Sequence, residues 1–346
     1  MKAIVAGTGA MGTPIAYGLS KLGFEVLLHD TSKPTLEAAV RKLEDLGILA
    51  KSYRHFPIEE KPDIVVSAVP WKYTFEIAAI CSSQGLRYCD LGGNPSVSSQ
   101  IHKNAKAPVF TDLGLAPGWA NIIAEKGYRE KGTAEVVNIY VGGLPQKPNG
   151  RLKYNRVFSL DGLVNEYTGF CDTISKGKIK QVRALSEISS YVLGDTRLEA
   201  AHTKGGLATT LDLMSKRGVK ECSYKTLRYL GHFDYVDFLM NDCALQNIET
   251  LCKGYTALEV CFLNACDVTT KDLVIIGVHV DDWCEQKKIM ATDDWTAMQM
   301  TTAFPTAAMA AIMASGELDH KIVLDYSDVP IDKFEENLRS IDETLL

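Results

Sequence analysis

The sequence lacks the cysteine pairs that mark a structural metal site or a disulfide framework. Its nine cysteines are scattered, and the closest two, Cys261 and Cys266, do not form a Cys-x-x-Cys pair. This spacing argues against a zinc knuckle and a small disulfide-rich fold, so we predict no bound metal. Reduced thiols are typical of the cytoplasm, and the first residues show no secretory leader pattern, so we expect a cytoplasmic protein.

Long apolar runs and clusters of basic residues are also missing. The most apolar stretch near the C-terminus, residues 303–314, contains Pro305 and is shorter than the roughly 18 residues that a membrane span requires. The formal net charge of −6 provides no long-range attraction to a phosphate backbone. We therefore expect neither a membrane segment nor a nucleic-acid partner.

The first hundred residues contain a repeated alternation of short apolar runs and helix-like segments. The apolar runs are residues 2–6, 25–29, 63–69 and 87–91. Segments 11–22 and 35–46 carry apolar residues at helical spacing, and another short run, 108–111, leads into a loop at 114–118. This pattern predicts a parallel βαβ series, that is, a Rossmann-type doubly wound α/β sheet.

From about residue 136 the pattern changes to longer alternating stretches with glycine turns, which predicts a second, mixed α/β domain with a largely antiparallel sheet. From residue 294 the chain is helical again, and we expect this segment to return to the first domain. A chain of 346 residues with 46% hydrophobic residues suits two domains. We assign residues 1–118 and 294–346 to the Rossmann domain and 119–293 to the second domain.

The turn after the first predicted strand matches the pattern G-x-G-x-x-G and opens the first predicted helix. In such a turn the first glycine makes the tight bend, the second lets the backbone approach a pyrophosphate, and the third permits close packing of helix on strand. The helix N-terminus faces the negative charge. A glycine turn without a ligand is the alternative interpretation. The predicted cofactor-binding residues of this turn are Gly7, Thr8, Gly9, Ala10, Met11 and Gly12.

Asp30 ends the second predicted strand, where a carboxylate can accept hydrogen bonds from the hydroxyls of the adenosine ribose. Because a 2′-phosphate would meet like charge there, we predict NAD rather than NADP as the cofactor. Lys33 keeps NADP open as the alternative, and Asp30 has a helix cap or turn as its structural alternative. Further cofactor contacts are predicted from the residues that close the run 63–69, namely Ala68, Val69 and Pro70.

Oxidation by a nicotinamide also requires a group that takes up or supplies a proton. Asp90, Asn94, Asp112 and Asn121 stand at or just after predicted strand ends, where ligands bind in open α/β sheets. They are therefore candidates for the polar lining of the site. Each has the capping of a loop or helix as its alternative role.

The richest polar cluster of the second half is residues 225–232. Arg228 offers a planar fork suited to a carboxylate, Tyr229 adds a phenol, and His232 titrates near neutral pH when it is unperturbed. These features indicate substrate binding and proton transfer. A surface salt bridge and a structural histidine are the alternatives.

Together these motifs resemble the saccharopine dehydrogenase-like oxidoreductases over nearly the whole chain. The marks of the resemblance are the glycine turn, the run Asp112-Leu113-Gly114-Leu115-Ala116-Pro117-Gly118 with Asn121 after it, Gly142-Gly143-Leu144-Pro145, and Leu227-Arg228-Tyr229 with Gly231-His232. The resemblance is greatest to those members that oxidise the side-chain amine of lysine.

This resemblance implies a second domain that also mediates dimerisation, and hence a homodimer. It further implies NAD-dependent oxidation of the lysine ε-amine to a semialdehyde, which cyclises to a piperideine carboxylate, with release of ammonia. Arg228 would then hold the α-carboxylate, and Tyr229, Asn121 and Asn94 would contribute to substrate binding. His232 or an aspartate would handle protons, and an aspartate, Asp112 or Asp90, would offset the charge of the amine.

Two positions depart from the family pattern. Ala116 stands where saccharopine-type reductases usually carry Asp, which makes saccharopine a less suitable substrate, and Met300 stands where many relatives carry Arg. Two alternatives of other classes stay open. One is a saccharopine or carboxynorspermidine dehydrogenase that acts on a secondary amine, and the other is an NAD(H)-binding regulator without turnover.

Overall fold

A computed structural model describes residues 1–157, 160–251 and 254–346 of the protein. The chain divides into two compact units. Unit 1 contains Met1–Glu125 and Gln299–Leu346, and unit 2 contains Lys126–Met298. The sequence places the divisions after residues 118 and 293. In the structure both divisions fall a few residues later, because a helix runs through each of them.

The elements of the first part of the chain alternate between strands and helices. In chain order they are β1 (Lys2–Ala6), α1 (Gly12–Lys21), β2 (Glu25–His29), α2 (Lys33–Asp45), β3 (Lys51–Tyr53), β4 (Ile64–Ser67), α3 (Trp71–Ser83), β5 (Arg87–Asp90), α4 (Pro95–Asn104), β6 (Val109–Phe110) and α5 (Trp119–Lys131). The middle of the chain is richer in strands. It contains β7 (Val136–Pro145), α6 (Leu160–Tyr167), β8 (Phe170–Ser175), β9 (Lys178–Arg183), β10 (Ser189–Leu193), β11 (Thr196–His202), α7 (Thr209–Lys216), β12 (Glu221–Tyr229), α8 (His232–Asp237), α9 (Ala257–Ala265), β13 (Asp272–Val280) and β14 (Trp283–Met290). Two helices follow, α10 (Ala297–Ala314) and α11 (Ile331–Ile341).

Unit 1 is built on a parallel sheet of six strands in the order β3-β2-β1-β4-β5-β6. This order is the one typical of dinucleotide-binding folds and confirms the predicted Rossmann-type sheet. β1 and β4 are buried along nearly their whole length, as strands covered on both faces are. All six strands run in one direction, so the loops that follow β1, β4, β5 and β6 emerge at the same edge of the sheet.

The C-terminal part of the chain extends this sheet beyond β6. The amide of Val109 donates to the carbonyl of Ile322 at 2.7 Å, and the amide of Leu324 donates to the carbonyl of Val109 at 2.9 Å. Two residues further on, the hydroxyl of Tyr326 donates to the backbone carbonyl of Asp112 at 2.7 Å. A segment more than 200 residues away in sequence therefore helps to hold the loop that follows β6.

Unit 2 contains an eight-stranded sheet with the central order β10-β11-β12-β7-β13-β14, and the hairpin β8-β9 pairs with β12. Among the described pairs only β12 and β7 run parallel, which confirms a mixed, largely antiparallel sheet. A buried cluster covers part of this sheet. It includes Leu152, Tyr154, Leu163, Tyr167, Phe233, Val236, Leu258 and Phe262.

No helix in the described ranges is both long enough and apolar enough to cross a membrane. Within those same ranges, the His, Cys, Asp and Glu side chains nowhere converge in a group of three or more that could hold a metal ion.

Candidate functional site

The glycine turn between β1 and α1 contains two glycines that the protein itself requires and one that it does not. A Cβ atom on Gly12 would lie 1.7 Å from the carbonyl oxygen of Gly7. Gly7 has a φ of +88°, and a Cβ there would lie 2.8 Å from the backbone of Ala68. At Gly9, by contrast, an added Cβ would meet nothing within 4 Å. The exposed space beside Gly9 therefore suits a ligand that approaches the backbone.

The start of α1 fits a bound phosphate group. α1 begins at Gly12, and Met11, the residue before it, provides no side-chain hydrogen bond to the first turn. The amides of a first turn carry partial positive charge and attract anions. The open space at Gly9 and this uncapped helix start together fit the pyrophosphate of a dinucleotide.

Asp30 follows β2 and supports the glycine turn. Its Oδ2 accepts hydrogen bonds from the amide of Thr8 at 2.8 Å and from the Thr8 hydroxyl at 3.1 Å. Its Oδ1 accepts from the amide of Ser32 at 2.8 Å. The turn role that was the alternative for Asp30 is therefore present in the structure, and a contact with ribose stays a prediction.

A groove of about 400 Å³ lies beside the loop that follows β2 and carries several cations. Its lining includes Lys33, Arg41 and Arg54 together with Glu37, which pairs with Lys33 at 3.5 Å. Arg54 donates to the carbonyl of Thr31 at 3.3 Å. Negative charge from Asp30 and positive charge from the groove are thus close together, so both NAD and NADP have a local feature in their favour.

Residues 68–70 lie at the carboxyl edge of the sheet, as the sequence predicts. The amide of Ala68 donates to the carbonyl of Ala6 at 2.7 Å and extends the pairing of β4 with β1. Val69 is partly exposed, and exposed Pro70 is the residue before α3. Ala68, Val69 and Pro70 are therefore available at the edge of the sheet where the glycine turn also lies.

Asp90 ends β5 and is only 1% exposed. Its Oδ1 accepts from the amides of Gly92 at 2.9 Å and Asp112 at 3.2 Å, and its Oδ2 accepts from the hydroxyl of Tyr88 at 2.9 Å. Burial, and then the neighbouring carboxylate of Asp112, raise the pKa of Asp90 to about 7, against the opposing effect of these hydrogen bonds. The Asp90 carboxyl is thus both a structural anchor and a group that titrates near neutral pH.

Asp112 follows β6 with a φ of +64°, a conformation that non-glycine residues seldom adopt. Its Oδ2 accepts from the hydroxyl of Thr111 at 2.9 Å. A Cβ on Gly92 would lie 2.1 Å from the Oδ1 of Asp112, so only glycine at that position leaves room for the carboxylate. Burial raises the pKa of Asp112, while the hydroxyls of Thr111 and Ser98 act in the opposite direction.

The two asparagines near this edge have structural roles that the sequence offered only as alternatives. Oδ1 of Asn94 accepts from the amide of Ser96 at 3.0 Å and caps α4. Oδ1 of Asn121, which is fully buried, accepts from the amide of Gly118 at 2.9 Å and ties the 114–118 loop to α5. Both side chains thus stabilise local turns, and substrate contacts by either one stay a prediction.

In unit 2, Arg228 is not part of a surface salt bridge, because its residue is only 2% exposed. Its Nε donates to the hydroxyl of Tyr167 at 2.8 Å, and its Nη1 donates to the carbonyl of Leu227 at 2.9 Å. Its Nη2 lies 3.5 Å from the Oε2 of Glu166. Burial raises the pKa of Glu166 to about 7, although the guanidinium acts to lower it. Arg228 is thus a buried cation with one carboxylate close by.

His232 continues the same hydrogen-bonded chain. Its Nδ1 lies 2.7 Å from the carbonyl of Leu152, and its Nε2 lies 3.0 Å from the hydroxyl of Tyr167. The carbonyl can only accept, so Nδ1 carries the hydrogen and Nε2 accepts from Tyr167. Burial and the charge of Arg228 lower the pKa of His232 to about 3. These contacts argue against the prediction that His232 handles protons and favour the structural alternative.

Two further residues complete this region. The hydroxyl of Tyr229 donates to the carbonyl of Pro145 at 2.9 Å, which gives this side chain a structural partner in place of an open phenol. Glu199, which no sequence pattern singled out, accepts from the amides of Gly231 at 2.9 Å and Phe233 at 2.7 Å. Glu199 therefore fixes the turn between β12 and α8, and His232 is the first residue of α8.

Comparison with known families assigns the chain. Residues 114–340, more than half of the protein, match the family described as saccharopine dehydrogenase C-terminal domain. The chain belongs to this family. The matched region begins in unit 1 at Gly114, two residues after Asp112.

Solved structures with a similar fold include the apo, histidine-tagged saccharopine dehydrogenase (L-Glu forming) from Saccharomyces cerevisiae, with 14% identity, a TM-score of 0.73, and coverage of 99% of this chain and 98% of that one. At this identity the likeness shows a shared fold. A probable dehydrogenase from Thermotoga maritima has 12% identity, a TM-score of 0.45, and coverage of 100% and 96%. A myo-inositol dehydrogenase from Lactobacillus casei, in complex with NAD(H) and myo-inositol, has 15% identity, a TM-score of 0.44, and coverage of 99% and 94%.

The different surroundings of the glycines provide a test of the cofactor site. Gly9→Ala should leave the free energy of unfolding within about 0.5 kcal/mol of the wild-type value, since the methyl group meets no protein atom. It should weaken NADH binding about tenfold, or ~1.4 kcal/mol, because the methyl group occupies the approach to the pyrophosphate. Gly12→Ala is the matched control and should instead unfold the protein more easily, by about 1–3 kcal/mol. Fluorescence titration with NADH and chemical denaturation measure the two effects, and unchanged NADH affinity in Gly9→Ala would contradict the assignment.

Proposed function

We propose that this protein is an NAD-dependent oxidoreductase that oxidises the ε-amine of lysine and releases ammonia. The observation that carries the proposal is the pair of buried carboxyl groups, Asp90 and Asp112, at the same sheet edge as the glycine turn. An amine substrate brings positive charge, which a carboxylate offsets, and it must lose a proton before it can be oxidised. The proposal includes a homodimer, as the family resemblance implies, and a cytoplasmic location, as the scattered cysteines indicate.

The cofactor part of the proposal rests on residues of unit 1. The glycine turn and the start of α1 would hold the pyrophosphate, and Asp30 would receive the hydroxyls of the adenosine ribose. The nicotinamide supplies the hydride acceptor when the cofactor is bound. In the sheet order, β4 separates β1 from β5, so the glycine turn and Asp90 are about two strand spacings apart, or roughly 10 Å. That separation suits a dinucleotide that extends along the sheet edge.

In this proposal Asp112 accepts the proton of the substrate ammonium, and Asp90 positions it. A general base works best when its pKa is close to the working pH, and burial raises the pKa of Asp112 in that direction. Asp90 binds the backbone amide of Asp112 and thereby directs the loop. Asp112 has fewer backbone contacts through its carboxylate than Asp90 does, so it is the better candidate for contact with substrate.

The remaining chemistry balances without a further reactant other than water. Removal of one proton and one hydride from the CH₂–NH₃⁺ group leaves an iminium. Water adds to the iminium carbon, ammonia leaves as ammonium, and an aldehyde is formed. One proton per turnover passes to solvent. The aldehyde and the α-amine of the same molecule then condense, with loss of one water molecule, to a cyclic imine, the piperideine carboxylate.

Arg228 is proposed to hold the α-carboxylate of lysine. Its guanidinium is buried, and Tyr167 and Leu227 orient it by accepting from Nε and Nη1. Glu166, at 3.5 Å from Nη2, is a competing carboxylate with a raised pKa, and its protonation would leave the guanidinium charge for a substrate carboxylate. Arg228 is thus both a structural residue of unit 2 and a candidate ligand of the substrate.

A second candidate function is oxidation of a secondary amine such as saccharopine. It is favoured by the family membership and by the fold shared with the saccharopine dehydrogenase of Saccharomyces cerevisiae. Ala116, at the centre of the 114–118 loop, is the sequence feature that makes saccharopine less suitable as the substrate. The two candidates differ in whether an oxo acid or aldehyde takes part, which an experiment can separate.

The position of the transferred hydrogen tests the reaction. Lysine that carries deuterium only at carbon 6 should give deuterated NADH, whereas lysine labelled only at carbon 2 should give unlabelled NADH. Mass spectrometry of the isolated NADH distinguishes the two. The reverse pattern would make the protein an α-amino acid dehydrogenase. Turnover only after an oxo acid and NADH are supplied with lysine would assign it to the secondary-amine branch, and NADH binding without any turnover would favour a regulator.

Cofactor choice tests the role of Asp30. The wild type should have a kcat/KM for NAD at least about tenfold above that for NADP, because a 2′-phosphate would meet the Asp30 carboxylate. Asp30→Asn keeps the shape of the side chain and should narrow this ratio. Arg54→Ala is the matched change in the cationic groove and should reduce only the activity with NADP. Equal wild-type values for the two cofactors, or an unchanged ratio in Asp30→Asn, would refute the assignment.

Replacement of Arg228 tests the carboxylate site. Arg228→Lys should raise the KM for lysine roughly tenfold or more, because the planar fork is lost although the charge is kept. The affinity for NADH should not change. Tyr167→Phe serves as the control for the structural role, since it removes the hydroxyl that Nε of Arg228 contacts. If Arg228→Lys lowers the thermal midpoint and weakens NADH and lysine binding equally, then Arg228 is a structural residue only.

A further inference from the structure

A proton accepted by Asp112 has little direct access to bulk water, because this residue is only 7% exposed. If the proposed function is right, one proton must leave the site in every turnover. A buried base that cannot release its proton would block the next cycle. The role of a proton route in turnover rests on the proposed function, whereas the geometry of that route does not.

Two side chains connect Asp112 to a partly exposed ring. The hydroxyl of Thr111 lies 2.9 Å from the Oδ2 of Asp112 and 2.9 Å from the Nε2 of His102. Thr111 is 3% exposed, whereas His102, in the last turn of α4, is only half-buried. A hydroxyl can donate one hydrogen bond and accept another at the same time. We propose that Thr111 and His102 form a relay that carries the proton from Asp112 to solvent.

Each proton transfer along this relay is balanced. Asp112, protonated on Oδ2, gives its proton to the oxygen of Thr111, and the hydroxyl of Thr111 gives its own proton to Nε2 of a neutral His102. The result is an ionised Asp112, an unchanged Thr111 and a charged His102. The imidazolium then passes one proton to water or buffer. No bond other than these O–H and N–H bonds changes, and nothing is oxidised or reduced.

The surroundings of the relay favour a proton that moves in both directions. Burial lowers the pKa of His102 and raises the pKa of Asp112, so the affinities of the two groups for a proton approach each other. The other titratable groups that face Asp112 are Asp90 and the phenol of Tyr326, whose hydroxyl binds the backbone carbonyl of Asp112. Asp90 adds negative charge and therefore also favours a protonated Asp112.

Thr111 and His102 do not touch substrate in this proposal, so they act as positioning and relay residues. His102→Ala should lower kcat by about 10²-fold, the lower limit of what a placed proton-transfer group contributes, with little change in the KM for lysine. Imidazole added as buffer should restore most of the loss in a saturable manner. Thr111→Ser should retain activity, whereas Thr111→Val should lose it and should not be rescued by imidazole, because the His102 ring still fills that space.

His55→Ala is the matched control. This histidine belongs to the same unit, is exposed, and pairs with Glu59 at 2.8 Å outside the relay. The His55→Ala variant should have an unchanged kcat, and added imidazole should not stimulate its activity. If His102→Ala keeps wild-type kcat, or if imidazole stimulates wild type, His55→Ala and His102→Ala equally, the relay is overturned while the proposed function stands.

A second measurement does not depend on turnover. The ring nitrogens of His102 should be followed by NMR as a function of pH in wild type, Asp112→Asn and Thr111→Val. Asp112→Asn should lower the pKa of His102, because the carboxylate favours the charged ring. Thr111→Val should shift the Nε2 resonance, because the hydrogen bond is lost. If neither variant changes the His102 ring, the relay is wrong. If both do while wild type oxidises no amine, the connection stands and the proposed function fails.

Discussion

The buried carboxyl group of Asp90 is the constraint on which the candidate site of unit 1 depends. One oxygen holds the amides of two loops, the loop after its own strand and the loop after β6, while the other oxygen binds the hydroxyl of Tyr88. A carboxyl group away from water is costly unless such bonds compensate it. Because these bonds hold Gly92 and Asp112 side by side, Asp112 keeps its left-handed backbone and its carboxylate lies against a glycine that has no side chain to displace it.

This arrangement links protonation to stability. The pKa of folded Asp90 is about 7, well above its ordinary value of 3.8, chiefly because of burial. The folded protein therefore binds this proton more tightly than the unfolded chain does. Between those two pH values the contribution of Asp90 to stability falls as the pH rises, which is the opposite of the usual behaviour of a paired carboxylate. Polar groups arranged for proton transfer can thus reduce the stability of the fold that contains them.

The polar groups of the two units differ in their surroundings. In unit 1, Asp90 ends β5 and Asp112 lies in the loop after β6, at the same edge of the sheet as a glycine turn with open space. In unit 2, the chain from Arg228 through Tyr167 to His232 is enclosed among apolar side chains, and its hydrogen bonds have one direction because the carbonyl of Leu152 can only accept. A buried network whose members are all hydrogen-bonded makes a core rigid. His232 is accordingly a neutral link, although its residue type first indicated a base.

The sequence alone determined the features that depend on neighbouring residues. Apolar periodicity located β1 and β2 at the observed residues and predicted both sheet types, and the glycine spacing located the turn before α1. These features follow from backbone sterics and from the two-residue and 3.6-residue repeats, which act over short distances. Only the tertiary structure decided which polar side chains cap helices, which connect buried groups by hydrogen bonds and which lie at the sheet edge. The side chains of Asn94 and His232 are of types that suit catalysis, yet both already form hydrogen bonds with other groups of the protein. No sequence pattern indicated His102 or Thr111, because neighbouring residues do not show that the end of α4 and the end of β6 will meet. Hydrogen bonds between distant parts of the chain depend on how strands and helices pack, and packing is a property of the whole fold.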